Sequence, residues 1–163
     1  MTGKIQTMSL ARKRPFLVAI LLILCVPVTL CTAFVIWYLV EIHRFANGSG
    51  PVADVSVAEV GGVKLELERR YAHPFLAEYL RTLTVTDRNG GTKRHDLAMD
   101  TGGSAKLTLC GTASGDIVLM DRIFGYQLSA DGQLTSLPSL PACTNRLGAF
   151  DQTGDKSYGF IPG

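Results

Sequence analysis

No aspartate or glutamate occurs before Glu41, although the 163-residue chain holds 14 acids. The opening stretch therefore carries charge of one sign, from Lys4, Arg12, Lys13 and Arg14. Histidine is scarce. His43, His73 and His95 are the three in the chain, and no two stand at a metal-ligand spacing such as His-x-x-x-His, which removes the usual sequence case for a metal site. No serine sits in a Gly-x-Ser-x-Gly, so a hydrolase elbow has no support. The paired glycines Gly61-Gly62 and Gly90-Gly91 lack a strand–loop–helix setting and read as turns, not phosphate cradles. No 20–50-residue period recurs, which excludes a solenoid or propeller. No cofactor is implied.

What the sequence does hold is one long apolar run. Phe16–Val40 is uncharged over 25 residues. As a helix it reaches about 37 Å, more than the roughly 30 Å hydrocarbon core of a bilayer. Basic flanks remain cytoplasmic, so the N-terminus is expected inside and residues 41–163 outside, in a cell (inner) membrane with a periplasmic or other extracytoplasmic domain. Trp37 and Tyr38 fall where an aromatic belt meets the outer interface. A cleaved signal peptide, with Cys31-Thr32-Ala33 as its processing site, is the competing reading. It would leave FVIWYLV as an exposed apolar start, which water disfavours. Pro27 removes one backbone bond near mid-span, and the run contains no Gly-x-x-x-Gly dimerisation signal.

The expected organisation is a basic tail (1–15), a transmembrane helix (16–40), a linker (41–51) and a β-domain (52–163). All 14 acids lie in residues 41–163 against 12 Lys and Arg, a balance of −2 that argues against nucleic acid as a partner. Cys25 and Cys31 lie in the apolar run, six apart and on different helix faces. Cys110 and Cys143 are the two cysteines of the outer domain. An isolated pair outside the cytoplasm is expected to be oxidised.

From Val55 onward the pattern is of strands punctuated by turns. Val55–Val60 and Val63–Arg70 flank Gly61-Gly62, and Leu65 and Leu67 alternate with charged residues. Glu66, Glu68, Arg69 and Arg70 read as a solvated strand face. Further strands are expected at Thr82–Thr86, Lys93–Met99, Lys106–Cys110, Ile117–Met120, Tyr126–Ser129, through Leu134, and at Gly148–Phe150 and Tyr158–Ile161. Ile117–Met120 is apolar on both faces and reads as a central strand. Pro74–Leu80 fits either a short helix or a strand running on into Thr82. Asp121-Arg122 reads as a buried turn pair. About nine strands, with a turn roughly every ten residues, predict an all-β antiparallel sandwich or small barrel.

One local string resembles a known active site. Asp100-Thr101-Gly102, preceded by Leu97-Ala98-Met99 and followed by Gly103-Ser104, resembles the catalytic loop of retropepsin-like aspartic peptidases. In that family each of two subunits supplies one Asp, and the paired carboxylates share a proton and activate a water. The resemblance implies that Asp100 is the catalytic acid, that Thr101 braces the loop and that Gly102 permits close approach. It covers about six residues. Gly103 departs from the usual Ala or Ser, and Arg146-Leu147-Gly148 offers one apolar residue where the family has two. An ordinary β-turn uses the same residue types. The function expected overall is a membrane-anchored, non-enzymatic accessory module serving another membrane or envelope protein. The alternative is a membrane-tethered peptidase using Asp100.

Overall fold

A computed structural model describes residues 14–102, 106–154 and 157–163. The basic residues Lys4, Arg12 and Lys13, and Gly103 and Ser104 of the peptidase-like string, lie outside the described residues. The chain divides into two compact units, residues 1–41 and 42–163.

The apolar run is helical, and the helix α1 spans Arg14–Ala46. It continues past Val40 because nothing in Glu41–Ala46 breaks it; the first turn-formers are Asn47-Gly48. There the backbone N–H groups of Asn47, Gly48 and Ser49 return to the carbonyls of His43, Phe45 and Arg44, and Gly48 takes the left-handed conformation that glycine allows (φ 72°). Ile23–Ala46 is long and apolar enough to cross a membrane. Inside it the hydroxyls of Thr29 and Thr32 donate back to the Cys25 and Val28 carbonyls, so neither needs water.

Beyond the last turn of α1, the second unit is all-β. Sheet one is a plain meander of β1 (Val52–Val60), β2 (Val63–Tyr71), β3 (Tyr79–Thr86) and β4 (Thr92–Asp100). Sheet two runs in the order β10-β9-β5-β6-β7-β8, with β5 Leu107–Gly111, β6 Ile117–Met120, β7 Gly125–Leu128, β8 Leu134–Leu137, β9 Arg146–Gln152 and β10 Tyr158–Pro162. Every strand pairing is antiparallel. Leu65, Leu67, Leu83 and Val85 from sheet one share a single core with Leu107, Leu109, Leu119, Leu128 and Phe150 from sheet two. The fold is thus a two-sheet sandwich with ten strands.

Strand β2 shows how the sequence produces it. Val63, Leu65 and Leu67 are buried while Lys64, Glu66 and Glu68 are not, the two-residue period of a half-buried strand. Strand β6 is central, as its two-faced apolarity implies, and Val118 is buried on the face opposite Leu119. That outer face lies along the path of the 138–145 segment, which returns from β8, at one edge of sheet two, to β9 beyond β5. Cys143 on this segment is bonded to Cys110 of β5, with 5.6 Å between their Cα atoms.

Two readings need correcting. Residues 72–78 form bends and irregular backbone, not a helix, and β3 begins at Tyr79. Tyr71 pairs with Tyr79 and the Ala72 N–H bonds to the Glu78 carbonyl at 2.8 Å, so the antiparallel pairing closes the loop at its base and leaves 73–77 to turn the chain. Arg69 does not belong to a solvated face: it is buried at 5 % exposure.

Candidate functional site

Counting along β2 explains Arg69. The inward positions are 63, 65 and 67, and 69 follows in phase. On β3, Leu83 and Val85 point inward and Arg81 follows in the same phase, at 2 % exposure. Positions 69 and 81 are direct partners in the β2–β3 ladder. The core therefore ends in two arginines side by side, at the end of the sandwich where β1 begins.

Each guanidinium has acids around it. Arg69 makes a two-point contact with Asp54 of β1, at 2.8 Å from Nε and 2.6 Å from Nη2. Its Nη1 lies 3.8 Å from the Asp100 carboxylate. The plane of the group is flanked by two rings, Tyr158 at 3.5 Å and Tyr79 at 4.4 Å from Cζ to centroid. Arg81 donates through Nε to the Ala98 carbonyl at 2.8 Å and through Nη2 to Asp121 at 2.6 Å. The Asp121–Arg81 pair bridges the sheets, since Asp121 opens the turn after β6. The Tyr126 hydroxyl adds a second bridge by accepting from the Ala98 N–H at 2.8 Å. Nη1 of Arg69 and Nη1 of Arg81 are buried without a hydrogen-bond partner.

Titration follows from this packing. Burial alone pushes Asp121 up, but the N–H groups of Phe124 and Ile123 and the Arg81 guanidinium together outweigh it, and its carboxyl ionises below the ordinary range. Burial likewise works against the charge on Arg69, and the hydrogen bond and charge of Asp54 more than restore it. Burial drives the Tyr158 phenol well above its ordinary value, with Arg69 and Arg81 opposing only in part.

The peptidase-like residues take the following places. Asp100 is the last residue of β4, 2 % exposed, and its charged neighbour across the cluster is the Arg69 guanidinium. Its Oδ1 also accepts the Gly102 N–H at 3.0 Å, the local bond of a turn. Thr101 and Gly102 are exposed. Gly148 lies in β9, in the other sheet from Asp100. Its Cα hydrogens face Phe160, and a Cβ there would overlap the ring. Of the turn pair, Asp121 turns inward to Arg81 while Arg122 is exposed. His95 reaches the Gly132 carbonyl at 2.9 Å, and His43 contacts Asn47. Among the described residues no group of three His, Cys, Asp or Glu side chains is placed to hold a metal.

The sequence reading missed the arginine pair, though strand alternation contained the signal at both positions. Chemically the cluster links both sheets by charge and holds its groups in mutual contact rather than presenting them to solvent. No protein-family model, curated protein or solved structure matches this chain.

Proposed function

We propose that the protein is a single-pass, membrane-anchored, non-enzymatic module that holds its sandwich outside the cytoplasm for another membrane or envelope protein. The observation that carries the interaction role is strand β1. It is the edge strand of sheet one, tied to β10 of the other sheet where the Ser56 hydroxyl donates to the Tyr158 carbonyl, and it carries apolar side chains on its outward as well as its inward face. Ala58 and Val60 point into the core, while Val55 and Val57 face solvent at 49 % and 46 % exposure. An edge strand with an uncovered apolar strip is a template for a partner's strand or surface. The span-length helix and the Cys110–Cys143 bond support the placement, since such a bond persists in an oxidising compartment. The five residues 47–51 between α1 and β1 keep any partner close to the membrane. Fully extended they reach at most roughly 18 Å.

The test joins topology to capture. Protease added to intact cells or spheroplasts should remove the C-terminal domain. In mild detergent, a co-purifying membrane protein should be lost from Val55→Glu and Val57→Glu variants that still form the disulfide. A domain inaccessible to external protease, or partner capture indifferent to both substitutions, overturns the reading.

A further inference from the structure

The two ends of the sandwich differ in a way the fold alone does not require. Strand directions place the 61–62, 87–91, 112–116 and 129–133 turns at one end. No large hydrophobic residue is exposed in any of them. The opposite end carries the 72–78 segment, the 121–124 turn and the polar connections that leave β4 at Asp100 and β9 at Gln152, and Arg81–Asp121 and Tyr126–Ala98 join the two sheets across it. There Phe75 is 68 % exposed, Leu76 52 %, Ile123 71 % and Phe124 42 %.

This apolar end is also where the chain enters from α1. The last turn of the helix, Ile42–Ala46, belongs to the same compact unit as the sandwich. The connection is tied down. Ser49 N–H bonds to the Arg44 carbonyl, Tyr71 N–H bonds to the Pro51 carbonyl, and Gly50 passes so close to the Tyr71 carbonyl that a Cβ could not be accommodated. The end bearing the four apolar side chains is therefore held within a few residues of the point where an apolar helix ends.

We infer that this end of the sandwich rests on the bilayer, with Phe75 and Leu76 from one loop and Ile123 and Phe124 from the other inserted among the lipid headgroups and upper acyl chains. The inference rests on the membrane-anchored reading above and adds a second attachment to it. Aromatic and aliphatic side chains on loop tips suit the interfacial zone. Arg122, exposed beside Ile123, can lay its stem along the lipid and its guanidinium at the phosphates. The polar turns at the far end face water. Seated in this way, the sandwich is held by two attachments rather than by its linker alone.

The experiment uses the full chain in lipid nanodiscs containing phosphatidylcholine brominated along the acyl chain. Trp37 is the one native tryptophan, and its quenching reports whether α1 is in lipid. In a Trp37→Phe background, Phe75→Trp, Ile123→Trp and Ala130→Trp each place a single probe, the last in a turn at the far end. The expected result is a blue-shifted emission at positions 75 and 123, quenched at least about twofold more than at position 130. Quenching of Trp37 with positions 75 and 123 no more quenched than 130 overturns the lipid seat and leaves the anchor standing. Blue-shifted but unquenched emission at 75 and 123 also overturns it, since protein rather than lipid would then cover the tips. An unquenched Trp37 removes both the anchor and the seat.

Discussion

Arg69 and Arg81 stand directly opposite each other in the β2–β3 ladder, with both guanidinium groups inside the sandwich. Like charges across a strand pair destabilise a sheet, and burial raises that cost. The arrangement survives because the acids arrive from different directions. Asp54 comes from the neighbouring strand, Asp100 from the end of β4, and Asp121 from the other sheet. The cluster thus depends on the sheets being stacked in one relative position, and any slip of sheet two would leave Arg81 buried without an acid.

The two halves of the inter-sheet pair should not cost the same when removed. Asp121→Asn keeps the oxygen that accepts the Ile123 and Phe124 N–H groups but leaves Arg81 as a buried, uncompensated cation. It should lower stability by about 3 kcal/mol or more. Arg81→Met leaves a carboxylate that still has two backbone donors, and should cost less. Combining Arg81→Met with Asp121→Leu should recover most of the loss, because a well-packed apolar pair avoids the desolvation of both ions. Denaturant titrations of the sandwich, followed by tyrosine near-UV circular dichroism, would measure all three. Equal losses for the two single variants would refute the asymmetry.

The Cys110–Cys143 bond closes 33 residues that include β6, β7 and β8. In the chain-entropy picture a loop of that size contributes about 3–4 kcal/mol, against a net stability of roughly 5–15 kcal/mol for an ordinary domain. Cys143→Ser should therefore lower the denaturation midpoint strongly. The loss should concentrate in the 138–145 segment, which the bond pins to β5. Amide hydrogen exchange would show this as faster exchange around Cys110 and Val118, on the outer face of sheet two, with β2 and β3 much less affected. Uniform acceleration across both sheets would contradict the local role.

Much of this architecture is written in two-residue periodicity. The Gly61-Gly62 turn, the inward leucines of β2 and the central place of β6 follow from local pattern and from which residues tolerate positive φ, while the Cys110–Cys143 pairing follows from their being the two cysteines outside the apolar run. The arginine cluster was half legible. Alternation puts 69 and 81 on the inner face, yet a charged residue invites assignment to solvent. Its acids belong to β1, β4 and the turn after β6, so local spacing could not pair them. Pro74–Leu80 was open between a helix and a strand running on into Thr82, and the strand holds from Tyr79 onward. Its apolar spacing suits a helix, but the antiparallel return from β2 to β3 decides the backbone, and Phe75 and Leu76 finish outside the core. The string around Asp100 has the residue types of an ordinary turn and departs from the catalytic loop at Gly103; the nearness of Asp100 to Arg69 is a property of the folded sheets.

Stability should fall off at both ends of the pH scale, for two separate reasons. Asp121 has a depressed folded pKa: burial pushes it up, and its backbone donors and Arg81 together outweigh that push. Its contribution is complete above the unfolded carboxylate value, about 3.9, and is lost as pH falls through the lower folded value. Tyr158 behaves in the mirrored sense. Burial raises its folded pKa, so its neutral form is favoured in the sandwich. Below about pH 10 the phenol is neutral whether folded or not; above that the unfolded chain gains by ionising and the folded state loses ground. Melting curves across pH 3–11 for the wild type, Asp121→Asn and Tyr158→Phe should separate the two. The Asn variant should be less stable at neutral pH, with a flatter acid limb. The Phe variant should lose near neutrality no more than the hydroxyl's bond to the Phe150 carbonyl, about 1 kcal/mol, and should lose part of its alkaline decline. Parallel curves for wild type and Tyr158→Phe above pH 10 would show that the phenol buried beside Arg69 is not the group responsible.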